Sequence, residues 1–434
     1  MDLTLRTEFF SMRARSMHFL FLVIFLLAFL PSPHTTAASL PVVSRQDTIS
    51  AGIWRAELIR KDGHKIVFNF QVSDSSGKMI IYILNGSERL LVDNIRKKDD
   101  SIFIDMPFFD SHFSLYVIND HSIEGNWIKI SGDRRVVVPF RAFLNRSGRF
   151  PVLHPASFDI SGRWSVLFRG ETDTTLAVGE FKQSGAQVRG TFLTTTGDYR
   201  FLEGIVDADT LRLSTFDGGH AYSFVSYIQD PTTMKGLFYS GASSVENWTA
   251  FKNETARLPD EYSLTKLKDS VNARLHFKFP DLRGEMVSLT DPEFKNKVVI
   301  IQILGSWCPN CMDETRFLSP WYLQNKTRGI EIVGLAYERT SSFSESKRLL
   351  QPFISRFHVT YPILVTGVTT GDSLRTEKTL PEITQIVGFP TTIFVDKKGN
   401  VRKIHTGFNG PGTGEHYIIF QKEFNELINR LLSE

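Results

Sequence analysis

The chain has two cysteines in 434 residues, Cys308 and Cys311, in the stretch Trp307-Cys308-Pro309-Asn310-Cys311. The apolar run Val298 to Leu304 comes just before them, so the pair leaves a strand and opens a helix. A thiol at a helix N-terminus meets free N–H groups and the positive end of the dipole, which favour the thiolate. The thiolate is the attacking species in thiol–disulfide exchange, and a second thiol three positions on can resolve the mixed disulfide. Cys308 is therefore the expected nucleophile and Cys311 the resolving thiol. The same spacing also serves as a plain disulfide staple or as half of a zinc site. Zinc takes four ligands, usually two such pairs or one pair with clustered histidines. No second cysteine pair exists, so redox chemistry is expected, with no metal and no organic cofactor. Pro309 stiffens the turn between the thiols, and Asn310 beside it is small and polar.

The elements that must position this pair come late in a long chain. At the N-terminus, Arg13 and Arg15 precede the apolar run Phe19 to Leu30, followed by Pro31, Pro33 and the small residues Thr36-Ala37-Ala38. This reads as an export signal over residues 1–38, cleaved after Ala38, with Met12 or Met17 as alternative starts. A run of twelve apolar residues falls short of the roughly 20 that span a bilayer; left uncleaved, it would act as a membrane tether. Export puts the pair in an oxidising, periplasmic or cell-envelope compartment. There a dithiol must be kept reduced by a donor, or else act as an oxidant. Five N-x-S/T sites, at Asn85, Asn145, Asn247, Asn253 and Asn325, matter only in a eukaryotic secretory pathway. The net charge of +3 is scattered, with no Lys/Arg block, so nucleic acid is not an expected partner.

Residues 39–255 read as all-β: alternating runs such as Lys65 to Phe70 and Met79 to Leu84 are separated by turn pairs such as Asn85-Gly86 and Asp217-Gly218. A weak repeat divides them. One copy opens at Gly52-Ile53-Trp54 and closes near Trp127; the other opens at Gly162-Arg163-Trp164 and closes near Trp248. Two small barrels or sandwiches of seven or eight strands are expected, over 39–150 and 151–255, joined by a linker from Arg146 to Pro155. The tryptophans either plug the barrel ends or line a ligand cavity. From 256 to 434, strand-like and helix-like runs alternate. Strands are expected at Val298–Leu304, Ile330–Tyr337, Tyr361–Thr366, Thr391–Val395 and Val401–His405. Helices are expected at Cys308–Gln324, Ser344–Phe357 (bent at Pro352), Lys378–Val387 and Glu415–Leu432, with a hairpin over 277–285 in front. This is a mixed sheet with helices on both faces.

Three pieces of this last region resemble the TlpA/ResA branch of the thioredoxin superfamily: Phe279 to Gly284 with Val287-Ser288-Leu289, Gly305 to Glu314, and Gly388-Phe389-Pro390-Thr391-Thr392. The resemblance implies a thioredoxin-like fold. Trp307 would shield the sulfurs, and Pro390, cis to Phe389, would sit against Cys308. The backbone of Phe389 would then be free to pair with an extended substrate. It also implies that Glu338, at the end of the second strand, takes the proton of Cys311, since Gln302 stands where thioredoxins carry a titratable aspartate. Glu314, three residues past Cys311, reads as part of a solvated helix face, with a place near the active-site rim as the alternative.

The expected function is an exported protein disulfide reductase acting on disulfide-containing exported proteins, apocytochromes among them, and recharged by a membrane thiol donor. Two alternatives stand beside it. One is a β-domain binding protein with an accessory thioredoxin domain. The other is a thiol peroxidase, against which Ile301 and Gly305 count, standing where that chemistry calls for proline and for threonine or serine.

Overall fold

Strict alternation builds the N-terminal half: along Ser111–Asn119, every second side chain is buried. In the computed structural model, residues 48–434 are described, apart from 108, 132–133, 147, 172 and 269–272. The expected export signal and cleavage site lie outside the described residues. The described residues form one compact unit.

Residues 52–144 make a nine-stranded antiparallel meander. Gly52–Ile59 pairs with Lys65–Ser75 on one side and Arg134–Leu144 on the other. The edges are Glu88–Val92 and Asn94–Lys98. The expected seven or eight strands become nine because the chain crosses from one edge to the other at Asp93. Residues 162–252 close into a ring of eight strands, since Thr174–Ser184 pairs with both Gly162–Arg169 and Gln187–Thr194, and Gly162–Arg169 also pairs with Ser244–Lys252. A two-residue strand, Gly197–Asp198, folds back onto Leu193 and Thr194 at one rim.

The repeat is structural. Trp54 and Trp164 are fully buried, and each donates its indole N–H to the carbonyl four residues earlier, Ser50 and Ile160, both at 2.9 Å. Trp127 and Trp248 are buried as well, each with an unpartnered indole N–H. Aromatic rings fill the second barrel, where Phe224 stacks on Phe238 at 4.4 Å and Phe192 meets Trp248 at 5.5 Å. In the first barrel a cavity of ≈ 20 Å³ remains among Phe68, Phe70, Phe113 and their neighbours, room for about one water. These interiors are packed cores. The barrels are also stitched to each other. Phe216 of the second stacks on Phe68 of the first at 4.2 Å. Arg149, within the connecting segment, is buried and donates to the carbonyls of Ser214, at 2.7 Å, and Leu84.

The C-terminal region holds β1 (Val298–Leu304), α1 (Pro309–Asn325), β2 (Ile330–Ala336), α2 (Phe343–Phe357), β3 (Ile363–Val365), α3 (Arg375–Thr379), β4 (Thr391–Val395), β5 (Val401–Thr406) and α4 (Glu415–Ser433). The sheet order is β3-β2-β1-β4-β5, with β1–β3 parallel to one another and β4 antiparallel to β1. Every residue of β1 is buried, as expected of a central strand covered on both faces. The hairpin pairs Lys278–Pro280 with Met286–Ser288. One helix departs from expectation. Instead of 378–387, α3 ends at Thr379, because Pro381 has no N–H to continue a helix and disfavours helical dihedrals at Leu380, which has φ −139° and ψ 64°.

Candidate active site

The cysteines stand where β1 hands over to α1. Cys308 is the N-cap of α1, and Pro309 fills the first helical position, where no N–H is needed. The Cys308 sulfur accepts the Cys311 backbone N–H at 3.2 Å, and the two cysteines form a disulfide with their Cα atoms 5.3 Å apart. Cys308 is 3% exposed and Cys311 fully buried. Both sulfurs lie in the cluster that holds Met312 and Phe408, with Trp307 and Phe389 packed against it. Trp307 donates its indole N–H to the Tyr337 carbonyl at 2.8 Å, meets Phe389 edge-on at 5.3 Å and carries the Arg339 guanidinium over its face. The Phe389–Pro390 peptide is cis. Its loop is tied at both sides, through Thr391 Oγ1 donating to Gly388 O and Gly407 N donating to Pro390 O, both at 2.8 Å. Asn310 turns outward and donates to the Thr196 carbonyl of the second barrel at 3.4 Å.

Two buried carboxylates flank this unit. Glu338 is 2% exposed, and both its oxygens are engaged by Ser306, which donates its backbone N–H and its hydroxyl, each at 2.8 Å. Burial raises its pKa. It forms part of the wall of a cavity of ≈ 470 Å³ that Trp307, Phe109, Lys129 and His220 also line. Glu314 is not the solvated side chain expected. It is 1% exposed and accepts from Gln302 Nε2 at 2.8 Å and from the Thr392 hydroxyl. Burial pushes its pKa up to about 7, against the pull of those two hydrogen bonds. The reason lies in helix geometry: Cys311, Glu314, Thr315 and Leu318 follow i, i+3, i+4, i+7 spacing and share the buried face of α1. That spacing was the available signal. Gln302 anchors the group from β1, accepting from Tyr361 OH at 3.2 Å and donating to Thr315 Oγ1 at 3.0 Å. The carboxylate absent at position 302 is thus supplied from the helix, one turn beyond Cys311. Among the described residues, no three His, Cys, Asp or Glu side chains gather as metal ligands would.

The family model for Redoxin matches residues 268–417. The thiol–disulfide oxidoreductase ResA of Halalkalibacterium halodurans is 28% identical over 155 residues, which is 36% of this chain and 74% of that protein. ResA of Bacillus subtilis is 26% identical over 132 residues, 30% of this chain and 64% of that protein, so the chain spans just under two thirds of this second relative. Among solved structures, a putative thiol:disulfide interchange protein DsbE from Chlorobium tepidum aligns at 18% identity with a TM-score of 0.29, covering 38% of this chain and 99% of that one. Residues 268–417, which carry both cysteines, are a redoxin domain, and this stretch is similar to thiol–disulfide oxidoreductases of the ResA type.

Proposed function

We propose that the chain is an exported protein disulfide reductase. The observation that carries this reading is Cys308 as the N-cap of α1 with Cys311 one turn inside, in a redoxin domain. In the reduced enzyme, the Cys308 thiolate attacks one sulfur of a partner disulfide and expels the other as a thiolate, which takes up a proton. Cys311 gives its proton to Glu314 and attacks the Cys308 sulfur, expelling the bound partner sulfur. Two electrons have then passed to the partner, and the Cys308–Cys311 disulfide remains. A second dithiol, supplied by a membrane thiol donor, reverses the exchange and restores the enzyme.

Glu314 suits the proton step better than Glu338. It shares the buried face of α1 with Cys311, and its pKa of about 7 lies near the range where general acid–base groups work best. Both oxygens of Glu338 are committed to Ser306, which makes it a group that positions the loop before Cys308. Glu314 also supports this direction of electron flow. An ionised carboxylate near the thiols raises the energy of the thiolates and so disfavours the reduced form, which makes the pair a better reductant.

Export rests on the Arg13/Arg15 and Phe19–Leu30 pattern of the first 38 residues; among the described residues, no helix is long and apolar enough to cross a membrane. Peroxidase chemistry is disfavoured at Gly305, where a Cβ would lie 2.2 Å from Trp307 Nε1, leaving no room for threonine or serine. The test is reduction of insulin disulfides by the full chain with dithiothreitol as donor. Turnover that disappears in Cys308→Ser supports the reading, and turnover no faster than dithiothreitol alone would refute it.

A further inference from the structure

The nucleophile is almost fully buried, although a sulfur that attacks a protein partner must be reached. A segment from another part of the chain packs on the loops around it. The rim segment 194–200 of the second barrel ends in a tight turn, with Thr194 Oγ1 donating to Gly197 O at 2.8 Å and Tyr199 N to Phe192 O at 2.9 Å. Its tip sits among the three loops around the cysteines. Thr196 O accepts from Asn310 at the start of α1. A Cβ on Gly197 would fall 1.7 Å from Asn310 Nδ2, and one on Gly388, beside the cis-proline, would fall 2.3 Å from Thr196 Cγ2. A Cβ on Gly407, at the end of β5, would lie 3.0 Å from Thr195 O. Glycine at all three positions is what permits this closeness.

The segment is also latched. Arg200 is buried in a left-handed conformation, φ +59°. Its guanidinium donates to Asp313 on α1 at 2.6 Å and to Glu88 of the first barrel at 2.5 Å, with Asp217 at 3.6 Å. Asp198 accepts the Gly410 N–H at 2.8 Å, and Gly412 packs against the Arg200 backbone. One arginine thus ties both barrels and the active-site helix together at the base of the turn.

We propose that residues 194–200 are a cap seated in the groove where a partner polypeptide would lie, and that the partner must displace it before Cys308 can attack. The consequence for turnover rests on the activity proposed above; the contact itself does not. The cap makes the second barrel a determinant of which disulfides are reduced: small disulfides need only a brief opening, whereas folded proteins must hold the turn aside.

Gly197→Ala tests this in the reduced full chain. The new methyl group meets Asn310 in a backbone conformation that alanine resists, so the open form gains. Cys308 should then react with a polyethylene-glycol maleimide roughly tenfold faster than in wild type, by the usual cost of a strained residue. An unchanged rate in a folded variant would overturn the cap. A second measurement needs no change in the turn. In Cys311→Ser, with Cys308 held in a mixed disulfide with a cysteine-containing peptide, backbone amides of 194–200 should exchange with deuterium faster than in the free protein. Equal exchange would also overturn it. If the alkylation contrast appears but neither form reduces insulin, the cap stands and the proposed activity falls.

Discussion

The barrels and the redoxin domain bury polar groups in different places. Inside the barrels the rings are filled by aromatic and aliphatic side chains, and buried polar groups such as Arg149, Asn85 and Ser214 sit where the two barrels meet. In the redoxin domain, Gln302, Glu314, Thr315 and Thr392 lie between sheet and helix, behind the cysteines. A buried carboxylate lowers stability unless it is fully compensated. Glu314, on the face of α1 that holds Cys311, is held by the neutral side chains of Gln302 and Thr392, which marks chemistry, whereas buried carboxylates of the barrels such as Glu57 and Asp217 are paired with arginines, which marks scaffold.

The sharpest way to break this contrast is through the thiols. Cys308→Ser should reduce insulin turnover to background, while Cys311→Ser should also stop turnover but accumulate mixed disulfides, visible as adducts that dithiothreitol releases. Adducts in Cys308→Ser instead would reverse the two roles. On the scaffold side, Trp164→Ala should cost about 3–5 kcal/mol of stability, as large aromatic truncations do, while the pH dependence of Cys308 alkylation stays that of wild type. A shifted alkylation profile would mean that the barrel core takes part in the chemistry.

The carboxylates give finer tests. With Glu314 held at about 7 against 4.5 for the free group, the folded state binds its proton more tightly than the unfolded chain. That contribution is complete below pH 4.5 and is lost as pH rises through 7, an amount of about 3 kcal/mol at 1.36 kcal/mol per pKa unit. Denaturant melts of Glu314→Gln should lack this fall. Its resolving step should slow about 100-fold, the lower end for general-base catalysis. Glu338→Gln should slow turnover by less than about tenfold, since a neutral amide still accepts from Ser306 and only the charge-assisted part of that contact is lost. A larger effect there than at Glu314 would return the proton-accepting role to Glu338.

Much of this arrangement is legible in the chain. Val298–Leu304 reads as a central strand because a fully buried parallel strand is a continuous apolar run, and Trp54 and Trp164 announce a repeat that the structure reproduces down to the indole hydrogen bond. The nine strands of the first barrel and the early end of α3 hinge on single residues, Asp93 and Pro381, whose effect depends on neighbours. Glu314 is misread because a carboxylate on a helix is usually solvated, although its spacing from Cys311 and Leu318 already places it inward. The meeting of Thr196 with Asn310, far apart in sequence, follows from docking one domain on another, and no local pattern encodes it.

The central claim is that Cys308 and Cys311 are a reducing dithiol. The direct measurement is the reduction potential of the pair in the full chain, equilibrated with glutathione or dithiothreitol buffers and read by alkylation. A value below about −220 mV, toward that of thioredoxin, is predicted. A value near −120 mV, that of a strong disulfide donor, would contradict the account.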